Sequence, residues 1–275
     1  MTTAQNLTHR QPRITELTFG HALVEGPHVF SGSVEAGAIW STLLHFGVDP
    51  SFMLGQFYAE SFFGTAGFAV DAQKAGTPLH AIGNILAANS PLLAKDMVGV
   101  TRYTDLSGTY TFARYASWAL GALDYCLLLQ DYVLNHDPRY GDSGIIYNAT
   151  ARWAGQALGS TAHINYLNAI TGRMDNYDAR PPWRSTEMAI EAPVGVVPSS
   201  NAHYAARAGD LWYARPADTV GITGKFGTAA DVTFLGYPRD APGWCAVVVH
   251  TGNLTGTIIA AVVYMPFDPL RLKIG

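Results

Sequence analysis

The hydrophobic periodicity of the chain changes once, near residue 180, and this change constrains the fold more than any other feature. Before it, apolar residues recur three and four apart in segments broken by Gly, Pro and Asn, the spacing of helices with one buried face. After it, short β-branched runs alternate with turns, the spacing of strands. The sequence therefore reads as an α+β chain of two domains. Residues 1–177 are mainly helical, 178–200 form a linker with Pro181, Pro182, Pro193 and Pro198, and 201–275 are all-β.

Local signals place the elements. Helices are predicted over 34–45, capped by Ser33, and from Asp49–Pro50 to about Gly64, where an acceptor at the N-cap and a proline at the first turn make a strong start. Further helices are predicted over 78–88, 112–135 (capped by Thr111), 145–158 and 162–177. The irregular stretch 66–111 suits a small β-lobe or binding loops. Strands are predicted at 211–215, 220–226, 230–237, 244–250 and 257–265.

Composition excludes several classes. Charged residues are 14% of the chain and the net charge is −4, with the nearest basic cluster being Arg173, Arg180 and Arg184, so nucleic acid is not an expected partner. The longest apolar run, 258–265, is far short of the roughly 20 residues of a membrane-spanning helix. The N-terminal residues do not read as a secretory signal. The expected location is thus synthesis in the cytoplasm, with export by another route. Cys126 and Cys245 sit in apolar contexts and read as buried thiols. No His pair stands at metal-ligand spacing and no cofactor is expected. Gly141-Asp142-Ser143-Gly144 is similar to a serine-protease nucleophile segment but precedes a helix, so it reads as a polar turn.

Glutamate usage carries the chemistry. Between residues 36 and 186, Glu60 is the only glutamate, and it continues the stripe of Phe52, Met53, Gln56 and Phe57. A carboxyl among aromatics loses hydration of its charged form, which suits a proton donor such as glycoside hydrolysis requires. The alternative is a glutamate at a helix end that reaches water past Gly64.

The segment FYAESFFGTAG resembles the catalytic-helix motif of lysozyme-like peptidoglycan hydrolases, and more closely that of the bacterial and phage glucosaminidase family (endo-β-N-acetylglucosaminidase type). HAIGNI (80–85), FARYASWALGALDYCLLL (112–129) and ARWAGQALGSTAHINYLNAI (151–170) follow in matching order, so the likeness covers about 50–177. It implies a lysozyme-like helical domain that cleaves the N-acetylglucosamine/N-acetylmuramic acid strand, with Glu60 as general acid. It also implies Asn84 and Tyr166 in the sugar cleft. Trp153 stands where the family usually has a tyrosine.

Tyr58, Tyr110, Trp118 and Trp153 are further candidates for sugar contacts. Asp105, in TRYTDLSGTY, is the favoured second carboxylate over Asp71 and Asp96, with a turn-forming role as its alternative. If no carboxylate faces Glu60, the substrate's own N-acetyl group can serve as nucleophile. Residues 211–218, 220–237 and Gly243-Trp244 are similar to bacterial SH3-like wall-binding domains, which implies a small closed barrel with Trp244 and Tyr213 as wall-binding residues. The expected protein is a phage lysin or a wall-cutting part of a virion or contractile particle, with peptidoglycan and particle components as partners. The rival readings are an inactive structural particle protein and a non-catalytic wall-binding module.

Overall fold

The computed structural model describes residues 12, 14–25, 33–135, 137–141, 143, 146–177, 202–213, 222–236, 243–252, 258–266 and 268–274. The chain divides into two units, Met1–Ala192 and Pro193–Gly275. The predicted linker over 178–200 lies outside the described residues.

The first unit runs α1 (Glu16–Glu25), α2 (Ser33–His45), α3 (Pro50–Ser61), α4 (Phe68–Lys74), β1 (Val100–Thr104), β2 (Thr111–Tyr115), α5 (Trp118–Leu134), α6 (Ile146–Ala154) and α7 (Thr161–Tyr177). Helix α3 starts where its signals stand. The Asp49 carboxylate accepts from the Ser51 amide at 2.8 Å and the Ser51 hydroxyl at 2.7 Å, while Pro50 needs no partner for an N–H it lacks. Two expectations are corrected. Residues 78–88 are not a helix, because their backbone groups pair with β2: the Ala113 amide donates to the Ile85 carbonyl and the Tyr115 amide to the Leu79 carbonyl, both at 2.9 Å. Residues 111–115 pair antiparallel with β1, and α5 begins only after Ser117, whose hydroxyl accepts from the Leu120 amide. Helices α1 and α4 had no clear sequence signal.

Packing is closest where side chains are smallest. Helix α3 packs on α7, and a Cβ at Gly55 would lie 2.6 Å from the Ile170 carbonyl oxygen. Helix α5 lies as close to the loop before β1, since a Cβ at Gly121 would meet the His80 carbonyl at 2.0 Å. Phe52, Met53, Leu54 and Phe57 of α3 are fully buried. Glu35 of α2 is also buried and accepts from the Trp118 amide at 2.7 Å, which satisfies the open N-terminus of α5. The loop before β1 is tied down by Asp124 of α5. Its buried carboxylate accepts from Ser90 Oγ at 2.6 Å, Tyr115 Oη at 2.6 Å and the Leu92 amide at 2.7 Å. Burial pushes the Asp124 carboxyl above its ordinary value, against the pull of these donors.

The second unit is one antiparallel sheet of β3 (Ala202–Ala206), β4 (Leu211–Tyr213), β5 (Ile222–Lys225), β6 (Ala230–Gly236), β7 (Trp244–Gly252), β8 (Ile258–Pro266) and β9 (Leu272–Ile274). Its strand order is β5-β4-β8-β7-β6-β3-β9. This corrects the expected SH3-like barrel. Closure needs the two end strands to pair, whereas among the described residues β5 pairs only with β4 and β9 only with β3, which leaves an open seven-stranded sheet. Strands β3 and β9 are additions to the sequence expectation. Tyr204, Phe234, Cys245, Val247, Val249, Val263 and Met265 form its core. Both cysteines are buried and free, as expected.

Two outcomes follow from these buried groups. Asp124→Ala strands three donors, each costing about 1–3 kcal/mol, so urea unfolding should show a loss of roughly 3 kcal/mol or more. A loss under about 1 kcal/mol would mean that water replaces the carboxylate freely. Separately, burial lowers His45 from 6.5 to about 4. A histidine with a depressed folded value supports folding while neutral. Its contribution is present above the unfolded value and is lost as pH falls through about 4. Urea midpoints of wild type and His45→Gln should therefore diverge between these two values, with the variant less acid-sensitive.

Candidate functional site

Glu60 lies in the last turn of α3, and the chain stops the helix there abruptly. Phe62 (φ 50°), Phe63 (φ 56°) and Gly64 (φ 79°) all adopt left-handed backbone, a strained choice for two successive phenylalanines. The Ser61 side chain holds the turn, donating to the Phe57 carbonyl at 3.2 Å and accepting from the Gly64 amide at 2.9 Å. Phe63 folds back edge-on against Phe57, with centroids 5.5 Å apart. The turn leaves Glu60 half-buried.

Donors from three other elements meet on this side chain. Tyr166 of α7 donates its hydroxyl to Oε1. Trp153 of α6 donates its indole N–H to the same oxygen at 3.1 Å. Asn84, in the loop stitched to β2, donates Nδ2 to both the backbone carbonyl and Oε2 of Glu60, each at 3.3 Å. The two acceptors fix which end of the amide faces the carboxylate.

Behind Tyr166 runs a second line of bonds. Tyr125 Oη of α5 donates to Gln56 Oε1 at 2.7 Å, and Gln56 Nε2 donates to Tyr166 Oη at 3.2 Å. Gln56 is fully buried one turn before Glu60, so the order Tyr125, Gln56, Tyr166, Glu60 is a directed chain in which every hydrogen points toward the carboxylate. Burial first, then the Glu60 charge, push the Tyr166 hydroxyl well above its ordinary value, and it stays a donor. Burial likewise raises Tyr125. Oε1 is thus held by two donors, whereas Oε2 has one long contact and is the oxygen with room for a proton.

Close packing fixes the indole. A Cβ on Gly83 would lie 2.4 Å from Trp153 Cζ2, so the loop backbone lies against the Cζ2 edge of the indole. Tyr125 packs on the same indole at a tilt, with centroids 5.3 Å apart.

Of the sequence candidates, Glu60, Asn84, Trp153 and Tyr166 come together. Asp105 does not join them. It closes the β1–β2 turn, accepting from Ser107 Oγ at 2.6 Å and the Tyr110 amide at 3.0 Å, and the Ser107 bond, then that of Tyr110, pulls its carboxyl below the ordinary value. Trp118 is a core residue, 4% exposed, against Phe57 and His80. Tyr58 stacks on Phe62 and under Arg173. Tyr110 is 49% exposed on Phe68 and Phe112. In the second unit Tyr213 is buried edge-on against Trp244, with centroids 5.2 Å apart, which leaves its ring no open face for wall binding. Gln56 and Tyr125 were missed. Their signal was present, since a glutamine on the apolar stripe one turn before Glu60 requires buried partners. Among the described residues no cluster of His, Cys, Asp and Glu forms a metal site, and no helix is long and apolar enough to cross a membrane.

No protein-family model, curated protein or solved structure matches the chain.

Gly83→Ala should drive the indole off Glu60. Its expected cost is about 1–3 kcal/mol of overpacking, read from urea unfolding. A crystal structure of the variant with the Trp153–Glu60 bond unchanged at 3.1 Å would contradict this reading.

Proposed function

We propose that the first unit is a peptidoglycan glycoside hydrolase with Glu60 as its general acid. The observation that carries this is the asymmetry of the Glu60 carboxylate: Oε1 is fixed by Tyr166 and Trp153, and Oε2 by only one long contact. A carboxylic acid oriented through one oxygen presents its proton on the other. The likeness of 50–177 to glucosaminidases supports the reading, since Asn84 and Tyr166 come from separate segments of that likeness and both donate to Glu60. Trp153 replaces the family's usual tyrosine in a limited sense. An indole N–H donates as a phenol does but cannot take or relay a proton.

With Asp105 held in a turn, the second catalytic group is assigned to the substrate. Glu60 Oε2 gives its proton to the glycosidic oxygen as the bond to the anomeric carbon breaks. The oxygen of the sugar's 2-acetamido group attacks that carbon and forms an oxazolinium ion. Water then attacks the same carbon, passes its proton to Oε2 and restores both the acetamide and the acid. The anomeric configuration is retained. The β unit is assigned a docking role at the wall or within a phage or contractile particle.

Glu60→Gln keeps an acceptor for Tyr166 and Trp153 but has no proton to donate. Release of reducing ends from purified sacculi should fall about 10²–10⁴-fold, with the fold retained and at most a small drop in urea midpoint, since the new amide faces the Asn84 donor. Release near the wild-type rate would remove Glu60 from the chemistry. A wild-type chain that releases none would favour the structural particle role.

A further inference from the structure

The geometry points to Arg173 as an anion-recognition residue that binds a carboxylate of the substrate's stem peptide near Glu60. The inference rests on the hydrolase reading for the identity of the substrate and on Arg173 itself for the charge.

Arg173 is on α7, seven residues after Tyr166. That spacing is close to two full turns, so the two side chains leave nearly the same face of the helix, about 10.5 Å apart along its axis. Among the described residues the guanidinium is held by rings alone. It lies 4.5 Å from the Tyr58 centroid, 5.1 Å from that of Tyr177 and 5.6 Å from that of Phe63. Tyr58 and Phe63 flank Glu60 in the chain, two residues before it and three after, so the cage is built from the same helix end as the acid.

What is missing is an oxygen. Among the described residues no carboxylate pairs with Arg173 and no carbonyl accepts from it, and its Nε–H is buried with no partner. Two other half-buried arginines have oxygen partners for their terminal N–H groups, although the Arg271 Nε, like that of Arg173, has no hydrogen-bond partner. Arg152 donates to the Tyr132 and Asn135 carbonyls at 2.8 and 2.7 Å, and Arg271 to Asp210 at 2.6 Å. A guanidinium flanked by rings, whose terminal Nη groups have no acceptor among the described residues, is a receptor for a planar anion, because two N–H bonds from its Nη end match the two oxygens of a carboxylate. Contact with three rings restricts the guanidinium in advance, which reduces the ordering cost of binding.

The substrate class supplies such anions. Every second sugar of the peptidoglycan strand bears a lactyl ether that continues into a peptide with free carboxylates. A carboxylate on Arg173 would set the register of the strand over Glu60 and favour strands that carry peptides over bare ones. Chitin-type strands have no such group.

The test is titration calorimetry on the full chain carrying Glu60→Gln, which binds without turnover. Two ligands are compared: a disaccharide–peptide fragment with free stem carboxylates, and the same fragment with those carboxylates amidated. The acid form should bind at least about tenfold more tightly, the size of one charge-assisted bond. Adding Arg173→Gln should erase the gap, and Arg173→Lys should keep part of it. Equal binding of the two ligands, or a gap that survives Arg173→Gln, overturns the assignment. Should Arg173→Gln fail to fold, Arg173→Lys decides: a reduced acid–amide gap supports the assignment and an unchanged one overturns it. Equal binding alongside glycan release by the unsubstituted chain defeats the arginine proposal and leaves the hydrolase reading standing. An acid-selective gap without any glycan release supports the anion site and defeats the hydrolase reading.

Discussion

The site exists because two helices touch at a glycine. At Gly55 the Ile170 carbonyl of α7 occupies space that any side chain would need, 2.6 Å from where a Cβ would be. Ridge-into-groove contact with larger residues holds helices 8–10 Å apart, and the missing side chain here permits a closer crossing. Tyr166 lies one turn before Ile170, and Gln56 and Glu60 follow Gly55 along α3. The separation at which a tyrosine hydroxyl can touch both Gln56 and Glu60 is therefore set at Gly55. Arg173, further along α7, meets the rings at the end of α3 for the same reason.

Two carboxylates in this unit illustrate how placement divides structural from chemical roles. Asp124 has three donors at 2.6–2.7 Å on both its oxygens and is fully buried. It ties the loop before β1 to α5 and has no face left for a ligand. Glu60 is half-buried, with one oxygen firmly held and the other nearly open. Glu35 belongs with Asp124, since its carboxylate accepts from the first amide of α5. A buried polar group with every valence met confers stability and uniqueness, whereas a half-buried one with a valence left open is available for chemistry. The same logic separates Arg152 from Arg173.

Much of this was legible in the residues. The change of period near 180 anticipates a helical unit and a sheet unit, and Asp49–Pro50 marks the start of α3 to the residue. Glu60 stood out as the single glutamate on an apolar stripe. What failed did so for physical reasons. The run PLHAIGNILAAN has helical apolar spacing, but its backbone bonds are taken by β2, a partner distant in sequence. Thr111–Tyr115 joined the α5 pattern because a short strand and a helix share apolar runs of that length. Sheet closure depends on the pairing of end strands, and no local pattern reports it. Asp105 has a turn-former's neighbours and proved to be one. Trp118 and Tyr213 show that an aromatic in the right segment is more often core than wall.

The central claim is that Glu60 directs cleavage of a glycosidic bond in the peptidoglycan strand by water. It is tested most directly by mass spectrometry of fragments released from purified sacculi by the full chain in heavy-oxygen water. The account predicts glycan fragments that end in a reducing N-acetylhexosamine with one heavy oxygen at its anomeric carbon. Anhydro-sugar ends without the label, fragments cut only in the peptides, or intact sacculi would contradict it.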